Sequence, residues 1–204
     1  MLAGPLLAPQ LLAFPHYGES NGDRVWSVEP IDPAALDAVT KRANALIAKS
    51  PIATGDEGRD IFLTDGGWRW TWLSAPSSYG AFALSRPLGE PIVLNRSDLA
   101  SDLVTNGATQ GGERSISAII AHETAHGMIR SRYGFVKAAL APQWLVEGYA
   151  DHVAQESSLS DAEYQDMKES GDSHPAMPYY EGRKRVAATL HANGGDVDAL
   201  FAGD

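Results

Sequence analysis

The stretch ERSISAIIAHETAHGMIRSRYG, residues 113–134, combines a helical pattern of apolar residues with a cluster of polar side chains. Isoleucines and a methionine recur at helical spacing on several of its sides: Ile116, Ile119, Ile120, Met128 and Ile129. Glycine is a typical residue to end a helix, and Gly134 follows the last apolar position closely. The pattern therefore predicts a largely buried helix that carries polar residues in its middle and ends at Gly134.

The polar residues in the middle of this predicted helix read HETAH, residues 122–126. Four residues advance a helix by about 400°, so His122 and His126 lie one turn apart with Cβ atoms roughly 5–6 Å from each other. Both imidazoles can then bind one tetrahedral ion, and Glu123 can reach the open side of that ion. A zinc-bound water has a pKa of about 7, and a neighbouring carboxylate can take its proton. The motif predicts water activation at a zinc site, and the alternative is a helix with two structurally satisfied histidines.

A third ligand is expected in the next predicted helix, which contains WLVEGYAD, residues 144–151. Glu147 is flanked there by apolar or small residues, a rare environment for an unpaired carboxylate. A glutamate that points towards the two histidines would complete a His₂Glu site with an open fourth position. Taken alone, Glu147 is better interpreted as a surface residue of an amphipathic helix, whereas its pairing with HETAH favours the ligand.

Asp151 lies one turn after Glu147 on the same side of this helix. It could accept a hydrogen bond from the second ring nitrogen of a ligand histidine and so fix the orientation of that ring. The alternative is a solvated aspartate on the helix surface. The small residues Gly148 and Ala150 predict a close approach of two helices around the ion.

HETAH followed by WLVEGYAD resembles the gluzincins, zinc peptidases with HExxH on one helix and a ligand glutamate on the next. The W-L-x-E-G-x-A form is especially similar to their aminopeptidase-like branch and its small single-domain relatives. The resemblance implies one Zn²⁺ per chain, with His122, His126 and Glu147 as ligands and Glu123 as general base. It also supports the proposed role of Asp151, because gluzincins often have an acid at that position.

PYYEG, residues 178–182, is similar to a P-Y-x-x-G stretch of the family, whose tyrosine stabilises the developing oxyanion. The spacing to the glycine implies Tyr179 as this donor, with Tyr180 as the alternative. Packing of both tyrosines at the start of the last long helix is a further interpretation. His174, in the SHP just before, is an additional candidate donor.

Two strand-like segments before the active-site helix bear on the substrate. PIVLNRS, residues 91–97, stands where the family has a strand that pairs with extended substrate; an ordinary sheet strand is the alternative. GAFALSRP, residues 80–87, stands near the place where the aminopeptidase branch carries G-x-M-E-N, whose glutamate holds the free amine of the substrate. Since neither Glu nor Asn is present there, an endopeptidase is expected rather than an aminopeptidase.

The rest of the chain predicts an α+β fold with zincin-like architecture. A helix is expected to start at Asp32, and further helices from Pro142, over 160–170 and through 179–194, with a short tail helix. Strands are expected at DIFLTDGG (60–67), WRWTWLS (68–74) and the two segments above. Because Gly66-Gly67 is typical of a hairpin turn, a small antiparallel sheet packed on the active-site helix is expected, followed by a helical C-terminal part.

Composition limits the possible partners. The 204 residues fit a single domain, taken as 1–204 with an N-terminal arm over 1–30. The net charge of -10 argues against nucleic acid or an anionic membrane surface as the main partner. The chain has no cysteine, so any metal must be held by His, Asp or Glu, and the compartment is left open.

The first stretch, MLAGPLLAPQLLAFP, is apolar but interrupted by prolines, too short for a membrane span and without the basic start of a signal peptide. One interpretation is an arm packed on the domain of a soluble protein. The other is the stub after a removed signal or anchor, as in the extracytoplasmic part of a secreted or anchored bacterial protein.

The functional hypothesis is a zinc metallopeptidase that cleaves peptide or protein substrates with a metal-activated water, its oligomeric state left open. A zinc-binding domain without turnover, acting as a structural or regulatory interaction module, is the alternative. A purely structural helix without metal is the third interpretation.

Overall fold

The computed structural model describes residues 4–55, 58–76, 78–85 and 91–203. It has an α+β fold, built on a mixed seven-stranded sheet. The strands are β1 (His16–Ser20), β2 (Asp23–Ser27), β3 (Asp60–Thr64), β4 (Ala83–Ser85), β5 (Ile92–Asp98), β6 (Leu103–Thr105) and β7 (Glu113–Ser115). The helices are α1 (Gly4–Leu7), a 3₁₀ turn (Pro9–Leu12), α2 (Pro33–Ile47), α3 (Trp68–Ser74), α4 (Ile116–Tyr133), α5 (Phe135–Leu140), α6 (Gln143–Ala154), α7 (Asp161–Ser170), α8 (Met177–Ala192) and α9 (Val197–Ala202).

The order of the strands is β1-β2-β3-β5-β6-β7, with β4 also paired to β5. β3 lies between β2 and β5 and is parallel to both, whereas the other pairs are antiparallel. α2 connects β2 to β3, and a crossover helix of this kind is what parallel pairing requires. The predicted α+β class is confirmed, and the expectation of a purely antiparallel sheet is wrong.

The segment WRWTWLS is helix α3 and not the predicted strand. Its three tryptophans alternate as in a half-buried strand, but only Trp70 is buried, and it shares its buried face with Leu73. The preceding glycines lead into this helix instead of a hairpin: Gly66 has a φ of +75°, and the Asp65 carboxylate accepts the N–H of Gly67.

PIVLNRS forms β5, an interior strand. One edge of β5 pairs with β3, and the other edge pairs first with β4 and then with β6. Its backbone groups are therefore used within the sheet, and the expectation that this strand pairs with substrate is wrong. Within GAFALSRP, Ala83–Ser85 form β4, and residues 86–87 lie outside the described part of the chain.

Both faces of the central strands are covered. Ile61 and Leu63 of β3 contribute to a core with α2 and α4, whereas Phe62 between them packs with α3 residues on the opposite face. Because side chains alternate along a strand, burial of both faces produces the continuous apolar run of this segment. The sheet thus supports α4 from one side.

The predicted helices are largely confirmed. Asp32 caps α2, its carboxylate accepting the N–H of Ala34, and α4 ends at Tyr133, where Gly134 follows with a φ of +85°. The region expected as an N-terminal arm contains the hairpin β1–β2 at one edge of the sheet, and the Arg69 side chain binds the carbonyls of Leu12 and Ala13. Among the described residues, no helix is both long and apolar enough to cross a membrane.

α6 packs between α4 and α8, and a pair of glycines allows the contact with α8. A Cβ atom on Gly148 would lie 2.5 Å from the carbonyl carbon of Gly182, and one on Gly182 would lie 2.7 Å from the carbonyl oxygen of Trp144. The small size of Gly148 therefore serves the contact between α6 and α8, rather than an approach around an ion. This contact sets α8 beside the helix that carries Glu147.

Candidate metal centre

His122, His126 and Glu147 meet where α4 and α6 pack together. The Nε2 atoms of the two histidines lie 3.2 Å apart, and Glu147 Oε2 lies 3.3 Å from His122 Nε2 and 3.7 Å from His126 Nε2. His122 is buried, and the Glu147 side chain is 24% exposed, so the cluster lies at the edge of the core and is reached from one side. The structure brings the three predicted ligands together.

The triangle of these three atoms has the dimensions of one face of a zinc coordination tetrahedron. With metal–ligand bonds of about 2.0–2.2 Å, tetrahedral ligand atoms lie about 3.3–3.6 Å from each other. The observed edges of 3.2, 3.3 and 3.7 Å agree with this to about 0.1 Å. Two imidazoles and one carboxylate are also a donor set that zinc accepts. The residues fit a zinc ion.

Asp151 is next to His122 on the side away from this triangle. Its Oδ1 lies 2.8 Å from His122 Nδ1, and the carboxylate is only 1% exposed, which rules out the solvated aspartate. A carboxylate can only accept here, so Nδ1 carries the proton and, in the neutral ring, Nε2 presents its lone pair to His126 and Glu147. This is the tautomer that a metal ligand needs.

The electrostatics of the cluster follow from this geometry. Burial lowers the pKa of His122, but hydrogen bonds with Asp151 and Glu147 outweigh burial and raise it to about 10. Burial and the neighbouring charge of His122 lower the pKa of His126. Burial raises the pKa of Glu147, but the hydrogen bond with His122 and the charges of the histidines hold it below its usual value. The cluster therefore attracts one positive charge, which a proton or a metal ion can supply.

Arg114 is a site residue that the sequence did not reveal. It belongs to β7, its side chain is 4% exposed, and its Nη1 lies 3.0 Å from Asp151 Oδ1. Burial raises the pKa of Asp151, but the charge of Arg114 and the hydrogen bond with His122 lower it to about 2. Ser157 Oγ donates to the other oxygen of Asp151 at 2.9 Å. No pattern in the sequence around Arg114 predicts that this arginine is buried.

Glu123 and Thr124 line a cleft of about 1100 Å³ beside α4. The cleft is bounded on its far side by the sheet, including Ser85 of β4 and Ile92 of β5. Glu123 is half-buried, and its negative charge opposes the lowering of the pKa of His126, so it lies close to the metal cluster. The expected general base thus lines an open space, whereas His122, His126 and Glu147 are not among the residues that line it.

The two candidate tyrosines differ in what their hydroxyl groups do. Tyr180 donates its proton to Asp161 and stacks on Tyr164. Tyr179 instead accepts a hydrogen bond from Gln143 Nε2 at 3.1 Å, which leaves its own proton free to be donated. Burial, followed by the negative charge of Glu147, raises the pKa of Tyr179, so its phenol lies near enough to Glu147 to be affected by the charge of that carboxylate. The arrangement favours Tyr179 over Tyr180 as the oxyanion donor.

His174 has a structural contact at the start of α8. Its Nδ1 accepts the backbone N–H of Ala176 at 3.2 Å and so stabilises the turn that precedes the helix. Gln143, like Arg114, is a site residue that the sequence does not predict, because its contact with Tyr179 joins two helices that are distant in the chain.

Comparison of the chain with models of known protein families, with characterised proteins and with solved structures found no match. The resemblance of HETAH and WLVEGYAD to gluzincins therefore stays a hypothesis, carried by the residues themselves.

Proposed function

We propose that this protein is a zinc-dependent hydrolase that cleaves peptide bonds, with the ion held by His122, His126 and Glu147. The observation that carries the proposal is the triangle of Nε2, Nε2 and Oε2 atoms, whose edges of 3.2, 3.3 and 3.7 Å fit three positions of a zinc tetrahedron. The fourth position would be left for water or substrate.

We further propose that the domain is a zincin of the gluzincin type. The HExxH motif is on α4, which packs against a sheet, and the glutamate is on α6, the next long helix. A structural zinc site is usually closed by a fourth protein ligand, whereas three protein ligands with an open fourth position are typical of a catalytic site. Among the described residues, His122, His126 and Glu147 form the only group of three or more His, Asp or Glu side chains that lie close enough together to hold a metal ion.

The chain's own residues can perform the proton transfers of peptide hydrolysis. When bound, a zinc ion would supply Lewis-acid activation of a water molecule and of the scissile carbonyl. Glu123 would accept the proton of the attacking water and pass it to the leaving amine. Tyr179 would donate a hydrogen bond to the developing oxyanion and keep its proton, while Gln143 fixes the position of the phenol.

An extended peptide is the substrate that the cleft suits best. Its volume of about 1100 Å³ accommodates several residues, and it borders Glu123 along the side of α4. β4, where the aminopeptidase branch would carry its amine-binding glutamate, has the residues Ala83–Ser85 and no carboxylate. We therefore propose endopeptidase action in preference to aminopeptidase action.

Glu123→Gln tests the proposal most directly. Cleavage of a diverse peptide library should fall by at least about 10²-fold, the usual contribution of a general base, while zinc content stays at the wild-type level. Glu169→Gln, an exposed position in α7, is the matched control and should behave as wild type. A wild-type protein that holds zinc but cleaves no peptide would contradict hydrolysis and would support a zinc-binding interaction module.

A further inference from the structure

Arg114 connects the two helices that carry the candidate ligands. It lies in β7, directly before α4, and contacts Asp151 in the last turns of α6. Its Nη2 also donates to the backbone carbonyl of Glu156 at 2.9 Å, just beyond the end of α6. The chain entering the first ligand helix is thus attached to the end of the second.

Glu156 strengthens the same connection from the opposite direction. Its carboxylate accepts the backbone N–H of Ser115 at 2.8 Å and the hydroxyl of Ser115 at 2.5 Å. Ser115 is the N-cap residue of α4, and its own side chain makes no capping hydrogen bond to the helix. Glu156, just beyond the end of α6, therefore binds Arg114 through its carbonyl and Ser115 through its carboxylate, and these two residues directly precede α4.

The carboxylate of Asp151 links these contacts between α4 and α6 to His122, one of the candidate ligands. Its Oδ1 is shared between His122 Nδ1 at 2.8 Å and Arg114 Nη1 at 3.0 Å, and both carboxylate and guanidinium are almost fully buried. A buried carboxylate needs a compensating charge, and a histidine that binds a metal is neutral and supplies none. A guanidinium is always charged and directional, so it can fill this role in the metal-loaded protein.

We propose that Arg114 is a positioning residue of the metal site, which holds the Asp151 carboxylate against His122 and keeps α4 and α6 at the spacing that zinc requires. The inference rests on the proposed zinc site but not on peptide hydrolysis. Arg114 touches no ligand atom, and it acts only through Asp151 and the ends of the two helices. Its loss should therefore weaken zinc binding without removing any ligand.

The test is a zinc affinity measured by chelator competition for four proteins: wild type, Arg114→Met, Asp151→Asn and the double variant. Partners of ligand residues typically contribute 10–100-fold to metal affinity, so about a tenfold loss is expected for Arg114→Met. Because Arg114 acts partly through Asp151, the loss of affinity in the double variant should be smaller than the product of the two single losses. Arg114→Lys, which keeps the charge without the planar fork, should lie between wild type and Arg114→Met.

Arg132→Met is the matched control, because Arg132 lies on α4 but forms an exposed ion pair with Asp198. It should leave zinc affinity unchanged. The absorption spectrum of the cobalt-substituted protein adds a second measurement, since a displaced His122 ring should alter the bands of Arg114→Met and not those of Arg132→Met.

The outcomes separate this inference from the proposed function. Equal zinc affinity of wild type and Arg114→Met contradicts the inference alone, and so does a double variant in which the two single losses multiply fully. A wild-type protein that binds no zinc overturns both. Should Arg114→Met fail to fold, Arg114→Lys decides, because it keeps the positive charge beside Asp151 and removes only the planar fork; zinc affinity equal to that of wild type would contradict the inference.

Discussion

The side-chain amide of Gln143 donates a hydrogen bond to the hydroxyl oxygen of Tyr179 at 3.1 Å. An amide nitrogen can only donate, so this contact fixes the phenol and leaves its proton unused. The neighbouring Tyr180 has the opposite arrangement, because its proton is already donated to Asp161. The hydroxyl groups of these two adjacent tyrosines at the start of α8 thus differ in whether they can donate a further hydrogen bond.

Tyr179→Phe should lower kcat by about 10²–10³-fold, the usual effect of removing one donor to an oxyanion. Zinc content and Tm should change little, since the phenol binds no ligand of the cluster. Tyr180→Phe is the control: it should lower Tm slightly through the lost contact with Asp161 and leave kcat near wild type. Steady-state kinetics on one cleaved peptide gives both results, and equal losses in the two variants would contradict the assignment.

Glu147→Ala should abolish stable zinc binding, because two histidines alone leave the site with too few ligands. Elemental mass spectrometry on protein purified without added metal should give one zinc per chain for wild type and far less for the variant. Glu181→Ala serves as control, since Glu181 contacts Tyr164 and not the cluster. Zinc retained at the wild-type level by Glu147→Ala would remove this residue from the ligand set.

Zinc binding should release about one proton at neutral pH. The pKa of His122 is raised to about 10 in the metal-free protein, so the ring is protonated below that pH and must lose its proton to bind a metal. The pKa values of His126 and Glu147 are both lowered, so these two ligands have no proton to lose. Zinc affinity should then rise at least about tenfold per pH unit from pH 7 to 9.

Isothermal titration calorimetry in two buffers of different ionisation enthalpy measures the number of protons released. Asp151→Asn removes one of the main causes of the raised pKa of His122, so it should release fewer protons at the same pH. Zinc affinity that is constant between pH 7 and 9 in the wild type would contradict the predicted proton displacement.

The sequence predicted that His122, His126 and Glu147 come together, and for the two histidines this relationship is local. His122 and His126 are one helical turn apart, and this spacing alone brings the two rings together once α4 forms. Glu147 could be added because an apolar environment for a carboxylate is unusual in any helix. Arg114 and Gln143 could not be predicted because their contacts depend on how β7, α6 and α8 are arranged, and no periodicity in the sequence encodes that arrangement.

The errors in the fold have a similar cause. Alternating tryptophans in WRWTWLS fit a strand as well as a helix, and only the packing of Trp70 with Phe62 and Val93 distinguishes the two. Gly66-Gly67 indicates a hairpin because two glycines permit that turn. The strand before them, β3, instead pairs in parallel with β2 and β5, and the crossover through α2 makes the pairing with β2 possible. Local sequence patterns predicted correctly whether most segments are helices or strands. They predicted less often which strands pair with each other.

Gly148→Ala should destabilise the protein, because the added methyl carbon would lie 2.5 Å from the backbone of Gly182, where no flexible side chain can move away. Overpacking of this kind typically costs about 1–3 kcal/mol, so urea denaturation should show a lower midpoint with an unchanged slope. Gly80→Ala is the control, since a Cβ atom added there would meet nothing within 4 Å and the backbone at this position needs no glycine. As α8 carries Tyr179, the widened contact should also lower kcat while zinc content stays near wild type. A variant as stable as Gly80→Ala would show that α6 and α8 do not approach as closely as the structure indicates.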